Sequence, residues 1–140
     1  MTLEQSVIFE LIEKANDARK YAYTPYSEFK VGAALLLKNG EIVTGCNIEN
    51  SAFGPTNCAE RTAFFKAISE GERDFVAIAV VGGKKEIPES FAFPCGVCRQ
   101  VMREFCKDDF RIIVAKTKQE YKIFTLPQLL PEGFGGGNIV

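Results

Sequence analysis

The sequence predicts an α/β fold with three layers (α/β/α), in which helices cover both faces of a mixed five-stranded sheet. Segments of helical periodicity alternate along the chain with short apolar runs, which are typical of buried strands. The chain has 140 residues, of which 46% are hydrophobic and 25% are charged. These values suit one globular domain, 1–140, with a core that needs no disulfide support.

The first predicted elements are a helix and a hairpin. Apolar residues recur at helical spacing from Ile8 to Ala18, and Arg19 continues the spacing, which predicts an amphipathic helix over 5–21. Two strands are predicted over 30–37 and 41–46. The Asn-Gly pair between them is a strong hairpin signal.

The second half of the chain is predicted to alternate helices with strands. One helix is expected over 58–70, with Thr56 or Asn57 as its N-cap and Gly71 at its end. A further helix is expected to run to about residue 106, with Pro94 in its first turn. The remaining predicted elements are strands over 75–81, 111–115 and 121–124, a helical turn over 126–130 and a flexible glycine tail at 135–137.

Charge and composition exclude several classes of partner. The net charge is -1 and no stretch is strongly basic, so no nucleic-acid partner is expected. No segment approaches the roughly 20 apolar residues that cross a bilayer, and the N-terminus lacks the pattern of a secretory signal. The number of cysteines is five, which is odd. Because no secretory signal is predicted either, we expect reduced thiols in a cytoplasmic protein rather than a disulfide framework.

Three cysteines and a glutamate predict a zinc centre. They are Cys58 and Glu60 in one segment and Cys95 and Cys98 in another. Three thiolates can hold one zinc ion per chain and leave its fourth tetrahedral position open for water. Glu60, two residues from a candidate ligand, could move protons to and from that water. The chain has no histidine, so this chemistry must rest on sulfur and carboxylate.

The charge of such a centre draws attention to Arg61. Three thiolates and one divalent cation leave a net negative charge, which weakens a Lewis acid unless it is offset. Both cysteine segments begin predicted helices, whose N-terminal dipoles lower thiol pKa values. Arg61 follows Cys58 by three residues, and we predict that it donates hydrogen bonds to the ligating sulfurs.

Other interpretations of these residues remain open. Cys95 and Cys98 could form a redox pair of the thioredoxin kind. A closed structural zinc site could use Cys46 or Cys106 as its fourth ligand, and a zinc-stabilised interaction module would lack an open coordination position. Taken alone, Glu60 would be a solvated helix residue.

Five segments of the chain resemble cytidine deaminases of the compact, three-cysteine form. Tyr26 to Leu35 and Leu129 to Gly135 carry part of the resemblance. The rest lies in Gly-Cys-Asn-Ile-Glu-Asn at 45–50, Cys-Ala-Glu-Arg-Thr-Ala at 58–63 and Pro-Cys-Gly-Val-Cys-Arg-Gln at 94–100. The match runs in order over about residues 21–134, and the Asn-Ile-Glu-Asn and Cys-Ala-Glu-Arg segments narrow it to the group acting on free nucleosides.

The resemblance implies a cytidine deaminase-like fold and zinc-dependent hydrolytic deamination. Cytidine and 2′-deoxycytidine would become uridine and 2′-deoxyuridine with release of ammonia, a step of pyrimidine salvage. Zinc would be bound by Cys58, Cys95 and Cys98, and Glu60 would shuttle protons. A relative that inactivates a cytosine-containing antibiotic is the alternative within this group.

The resemblance also implies contacts with the nucleoside. Asn47 and Glu49 would hold the ribose hydroxyls, and Glu49 would disfavour a phosphate such as that of CMP. Phe29 would pack beside the nucleoside, and the backbone N–H of Ala59 would meet the pyrimidine carbonyl. Relatives of this form are homotetramers in which neighbouring subunits complete each active site. Phe53, which is tyrosine in many relatives, and Phe134 would be the aromatic residues contributed across the interfaces. If the resemblance is set aside, the sequence alone predicts that Asn47 is a turn residue, that Glu49 is exposed, and that Phe29 and Phe53 are core aromatics.

Overall fold

The computed structural model describes residues 2–139 and contains a five-stranded sheet with helices on both faces. Its helices are α1 (Gln5–Ala18), α2 (Ala59–Ser69), α3 (Gly96–Phe105) and α4 (Leu126–Leu129). Its strands are β1 (Lys30–Leu37), β2 (Ile42–Cys46), β3 (Phe75–Gly83), β4 (Arg111–Thr117) and β5 (Glu120–Thr125). Single 3-10 turns follow at Arg19–Tyr21 and Gly136–Asn138, the second of them in the glycine tail that was expected to be flexible.

The sheet is mixed, as the sequence predicted. Its strand order is β2-β1-β3-β4-β5. The pair β3 and β4 runs parallel, whereas the other neighbouring pairs run antiparallel. The parallel pair is joined through α3, in agreement with the rule that parallel strands need a crossover connection.

Two apolar clusters form on opposite faces of the sheet because neighbouring residues of a strand point to opposite sides. Ala34 of β1 belongs to the cluster under α1, and Leu35 belongs to the cluster under the other helices. Phe64 of α2 and Met102 of α3 lie in this second cluster and are fully buried. The helices therefore form one layer on each side of the sheet, which confirms the predicted fold class.

Two glycines let the helices approach the sheet closely. A Cβ added at Gly32 would lie 1.9 Å from the carbonyl oxygen of Ala15 in α1. A Cβ added at Gly45 would lie 2.5 Å from the backbone nitrogen of Ala63 in α2. Both contacts are with backbone atoms, so a side chain at either position would force a helix away from its strand.

The predicted starts of α2 and α3 were wrong by one or two residues. The N-cap of α2 is Cys58 rather than Thr56 or Asn57, because the backbone of Asn57 is paired with Ile48 in an antiparallel bridge. The N-cap of α3 is Cys95, so Pro94 lies before the helix instead of in its first turn. The corrected starts place a cysteine at the entry of each helix. Within residues 2–139, no helix has the length and apolar character that crossing a bilayer requires.

Candidate metal centre and active site

The three predicted metal ligands lie together where α2 and α3 begin. The Sγ atoms of Cys58 and Cys95 are 3.6 Å apart, and those of Cys95 and Cys98 are 3.5 Å apart. All three sulfur atoms lie within 4.8 Å of one another. The two cysteine segments are far apart in the sequence, and they meet because α2 and α3 pack on the same face of the sheet.

The geometry of the three sulfurs fits a zinc ion. A zinc–sulfur bond of about 2.3 Å and tetrahedral angles separate two ligating sulfurs by about 3.8 Å. The observed separations are close to this value, and all five cysteines carry free thiols. Neither Cys46 nor Cys106 belongs to the group of potential ligands found among the described residues. Cys106 follows the last turn of α3, at the opposite end of that helix from Cys95. This arrangement favours a site with three protein ligands and an open position.

Arg61 contacts one sulfur of the group. Its Nη2 donates a hydrogen bond to the Sγ of Cys58 over 3.4 Å. Its Nε is buried and finds no hydrogen-bond partner among residues 2–139. Thiolate ligands would supply acceptors for this guanidinium, which is a second observation in favour of a metal at this position.

The surroundings of Cys58 favour the thiolate form of its side chain. The pKa of Cys58 is lowered to about 5 by a hydrogen bond from the Cys98 thiol and, to a lesser degree, by Arg61. The pKa of Cys98 is raised, since its proton is held in the hydrogen bond to Cys58 and its side chain is buried. The Sγ of Cys95 also accepts from the backbone N–H of Cys98 over 3.5 Å.

Glu60 lies in the first turn of α2 and is buried, with 4% of its surface exposed. Burial raises the pKa of its carboxyl to about 7, and the neighbouring Cys58 thiolate adds to this effect. The alternative interpretation of Glu60 as a solvated helix residue is therefore wrong.

Glu60 and two of the cysteines line a cavity of about 260 Å³. Phe29, Asn47 and Ala59, three of the predicted nucleoside contacts, also line it. Four further lining residues were not predicted: Val31, Val80, Ala92 and Phe93. Ala92 and Phe93 lie just before Pro94 and Cys95, and this proximity to a metal ligand was the signal available in the sequence.

Ala59 stands at the first position of α2. The first N–H groups of a helix have no partner within the helix. Its backbone N–H is therefore at the end of the helix from which a ligand in the cavity can accept a hydrogen bond.

Asn47 is engaged with the start of β1. Its Oδ1 accepts from the backbone N–H of Val31 over 2.9 Å, and its Nδ2 donates to the carbonyl of Phe29 over 2.8 Å. One of the two Nδ2 protons remains for another acceptor. The side chain thus supports the cavity wall and still faces the cavity.

Glu49 lies outside the residues that line the cavity and is bound to the loop before Phe29. Its carboxylate accepts from the backbone N–H groups of Tyr26 and Ser27, each over 3.1 Å, and from the hydroxyl of Ser27. The Ser27 hydroxyl is the main cause that lowers the pKa of this carboxyl, and the two backbone donors add to it. In a single chain, Glu49 orders the loop that ends at Phe29.

Phe53 and Phe134 project from the surface. Their exposed fractions are 91% and 58%. Neither lines the cavity of its own chain. Phe134 is anchored through its backbone, because its carbonyl accepts a hydrogen bond of 2.8 Å from Nε2 of Gln100 in α3. Phe53 is therefore not a core aromatic, while Phe29 lies in the cavity wall.

The chain combines a mixed sheet flanked by helices with three cysteines placed to hold zinc and a buried glutamate beside them. This combination is typical of zinc-dependent deaminases. The family model described as "Cytidine and deoxycytidylate deaminase zinc-binding region" matches residues 6–115. The chain belongs to this family.

Named relatives agree with this assignment. The chain is 52% identical over 125 residues to a cytidine deaminase of Halalkalibacterium halodurans, covering 89% of this chain and 91% of the relative. The crystal structure of cytidine deaminase from Burkholderia pseudomallei superimposes with a TM-score of 0.82 at 45% identity, covering 89% of this chain and 97% of that one. A blasticidin-S deaminase of Bacillus cereus is 32% identical over 126 residues, covering 87% of this chain and 88% of the relative.

Proposed function

We propose that the protein is a zinc-dependent hydrolase that converts cytidine and 2′-deoxycytidine, with water, to uridine and 2′-deoxyuridine plus ammonia. The observation that carries this conclusion is the meeting of Cys58, Cys95 and Cys98 with the buried Glu60 at one cavity. The 52% identity to a cytidine deaminase supports the same activity. The reaction belongs to pyrimidine salvage.

We assign zinc binding to Cys58, Cys95 and Cys98. Bound there, zinc supplies Lewis acidity and lowers the pKa of a water molecule. Arg61 donates a hydrogen bond to the sulfur of Cys58 and offsets part of the negative charge of the ligands. The open side of the sulfur group faces the cavity, because Cys58 and Cys95 both line it.

Glu60 is the proton carrier of the reaction. Its carboxylate takes the proton of the attacking water and delivers it to N3 of the pyrimidine, which makes C4 more electrophilic. After the hydroxyl has added at C4, the same carboxylate takes the proton of this hydroxyl and passes it to the amino group. The C4–N bond then breaks, ammonia leaves and C4 becomes the carbonyl of uridine. The burial of Glu60 keeps bulk water away from these transfers.

The cavity wall positions the base and the sugar. The backbone N–H of Ala59 donates to the pyrimidine carbonyl, and the ring of Phe29 packs beside the nucleoside. The free Nδ2 proton of Asn47 donates to a ribose hydroxyl. Glu49 accepts from the ribose and also holds the loop that carries Phe29.

The carboxylate of Glu49 makes the free nucleoside the preferred substrate. A negative charge beside the sugar repels a 5′-phosphate, whereas neutral hydroxyls are good donors to it. We therefore expect cytidine to be turned over far faster than CMP. Comparable kcat/KM values for the two would refute this assignment of Glu49.

The assembly that completes the site is a homotetramer in the cytoplasm. The support for subunit contacts is the exposure of Phe53 and Phe134, two large aromatics that do not serve their own chain's cavity. Aromatic side chains are enriched at the centres of protein interfaces. We assign both side chains to the active sites of neighbouring subunits. Each subunit consists of one domain, residues 1–140.

The decisive experiment combines metal analysis with an ultraviolet assay of cytidine. We expect one zinc per chain and loss of the cytidine absorbance with release of one ammonia per uridine. Protein free of metal that is still active would overturn the zinc assignment. Zinc-loaded protein inactive on cytidine would favour the interaction module, and a reducible Cys95–Cys98 disulfide without metal would favour a redox protein.

Blasticidin S is the second substrate to test, because a blasticidin-S deaminase is 32% identical to the chain. The greater identity to a cytidine deaminase and the Asn47–Glu49 pair favour cytidine. A higher kcat/KM for the antibiotic than for cytidine would reverse this preference.

A further inference from the structure

Arg19 is a buried cation held by oxygens from three parts of the chain. Its exposed fraction is 7%, and no salt bridge to a carboxylate is found for it within residues 2–139. All five of its N–H groups are used, on the carbonyls of Lys30 (3.0 Å), Gly83 (3.0 Å), Lys85 (2.6 Å) and Glu86 (2.8 Å) and on Oδ1 of Asn16 (3.0 Å).

This arrangement is demanding because it buries a charge with neutral partners. Burial lowers the pKa of the guanidinium, although arginine stays protonated in proteins. The desolvation of a buried charge is offset only when every donor finds a partner, as it does here. Loss of the guanidinium would leave four backbone carbonyls without this donor, which ties Arg19 to the conformation of the segments that carry them.

Two of those carbonyls border the wall of the nucleoside cavity. Lys30 directly follows Phe29, and Gly83 directly follows Gly82. In the sheet, Lys30 is the register partner of Gly83, and Val31 is the partner of Gly82. Arg19 therefore holds both strands, β1 and β3, at the end where Phe29 and Gly82 meet.

The ring of Phe29 rests on Gly82. A Cβ built at Gly82 would lie 3.2 Å from Cε1 of Phe29 and 2.9 Å from Cβ of Ala92. Phe29 and Ala92 both line the cavity. A small shift of either strand would therefore move this part of the wall, and the glycine leaves no side chain to stop it.

Asn47 and Arg19 hold successive peptide groups of the same segment. Asn47 binds the carbonyl of Phe29 and the N–H of Val31, whereas Arg19 binds the carbonyl of Lys30. Asn47 itself lines the cavity, but Arg19 does not. Arg19 supports the wall from the side away from the substrate.

We propose that Arg19 is a positioning residue for nucleoside binding, which holds Phe29, Gly82 and the 83–86 segment in the conformation that accepts the base. It acts on KM and leaves the proton-transfer step at Glu60 unchanged, since it touches neither the metal ligands nor Glu60. This inference rests on the proposed deamination of cytidine.

The test uses Arg19→Lys and Arg19→Gln in the zinc-loaded protein of 140 residues. Lysine keeps the charge but offers three donors from one atom, and glutamine removes the charge. Because small displacements in a binding site are costly, we expect KM for cytidine to rise about 10-fold or more. We expect kcat to stay within about 3-fold of its original value, since the reacting groups stay in place, with zinc at one per chain.

A matched control separates positioning from stability. Ile8→Ala empties a buried position on α1, the helix that Arg19 directly follows, away from the cavity. It should lower the melting temperature with KM unchanged. Melting temperatures of all variants set an assay temperature at which each is folded.

Hydrogen exchange supplies a readout that does not depend on turnover. Amides in 28–31 and 83–93 should exchange faster in both Arg19 variants and remain as in the unmodified protein for Ile8→Ala. A melting temperature lowered without a change in KM or in these amides would overturn the proposal, and so would the failure of both Arg19 variants to fold. Absence of cytidine turnover in the unmodified protein would count instead against the proposed function.

Discussion

Nη2 of Arg61 lies 3.4 Å from Sγ of Cys58, one helical turn away on α2, while Nε of the same guanidinium is buried without a partner. One side chain thus brings a positive charge and a spare donor to the sulfur group. The balance of charge at the metal depends on this contact, because three thiolates outweigh a divalent cation.

Arg61→Ala should weaken zinc binding or slow turnover by about 10–100-fold, the usual cost of losing a partner of a metal ligand. Zinc affinity is measured by competition with a chelator, and turnover is measured at saturating zinc. Arg73→Ala is the control, because the side chain of Arg73 donates to the backbone carbonyls of Ile68, in the last turn of α2, and of Glu72, away from the sulfur group. Unchanged affinity and rate in Arg61→Ala would remove the charge-offset argument.

Glu60→Gln should abolish most activity while zinc stays bound. The amide has nearly the same shape but cannot carry the proton, and general acid–base catalysis contributes a factor of about 10²–10⁴. Turnover of cytidine and zinc content are measured on the same sample. Glu70→Gln, at the exposed end of α2, should behave as the unmodified protein. Substantial turnover by Glu60→Gln would exclude Glu60 as the proton carrier.

Gly45→Ala should destabilise the fold and the site together. The added methyl would lie 2.5 Å from the backbone of Ala63 and 2.6 Å from that of Ala59, so α2 must move away from β2. Overpacking of this kind costs about 1–3 kcal/mol. Urea unfolding measures the loss, and cytidine turnover should fall with it.

Gly137→Ala serves as the control for Gly45→Ala, since a Cβ at Gly137 meets no atom within 4 Å. Equal stability of the two variants would contradict the close packing of α2 on β2.

Ser27→Ala should make substrate binding more sensitive to acid. The pKa of Glu49 is lowered from 4.5 chiefly by the Ser27 hydroxyl, so the carboxylate stays ionised below that pH. Its contribution to the folded loop is present above 4.5 and is lost as the pH falls through the lowered pKa. Without the hydroxyl, this folded-state pKa rises, and the increase of KM on acidification begins at a higher pH.

The measurement for Ser27→Ala is KM for cytidine over about pH 4–7, with kcat followed separately to register any loss of zinc. Ser69→Ala is the control, because the Ser69 hydroxyl binds only the carbonyl of Lys66. Superimposable KM profiles for Ser27→Ala and the unmodified protein would show that Glu49 does not govern binding.

Phe134→Ala should raise KM for cytidine, and mixing its subunits with those of a second variant should restore activity. If a neighbour lends Phe134, mixed assemblies of Phe134→Ala and Glu60→Gln subunits contain sites with an intact Glu60 and an intact borrowed phenylalanine. Activity should therefore reappear when the two inactive or impaired proteins are dissociated and reassembled together. Reassembly of each variant alone is the control, and no recovery in the mixture would assign Phe134 to its own chain.

Much of the fold was predictable because local patterns and packing agree. The Asn39-Gly40 turn, with Gly40 at φ 94°, joins β1 to β2 as the hairpin signal indicated. The periodicity of α1 matches the residues that it buries. The starts of α2 and α3 were misplaced, because the sequence does not reveal that Asn57 pairs with Ile48 and that cysteines occupy the N-cap positions of both helices.

The sequence by itself determined which chemistry to expect, since the residue types and spacing of Cys58, Glu60, Cys95 and Cys98 indicate candidate zinc ligands and a candidate proton carrier. Only the tertiary structure decided what surrounds them. Phe93 entered the cavity wall, and Arg19 became a buried link between α1, β1, the end of β3 and the segment after it. The physical reason is that ligand identity depends on residue type, whereas burial and hydrogen-bond partners depend on contacts between distant segments.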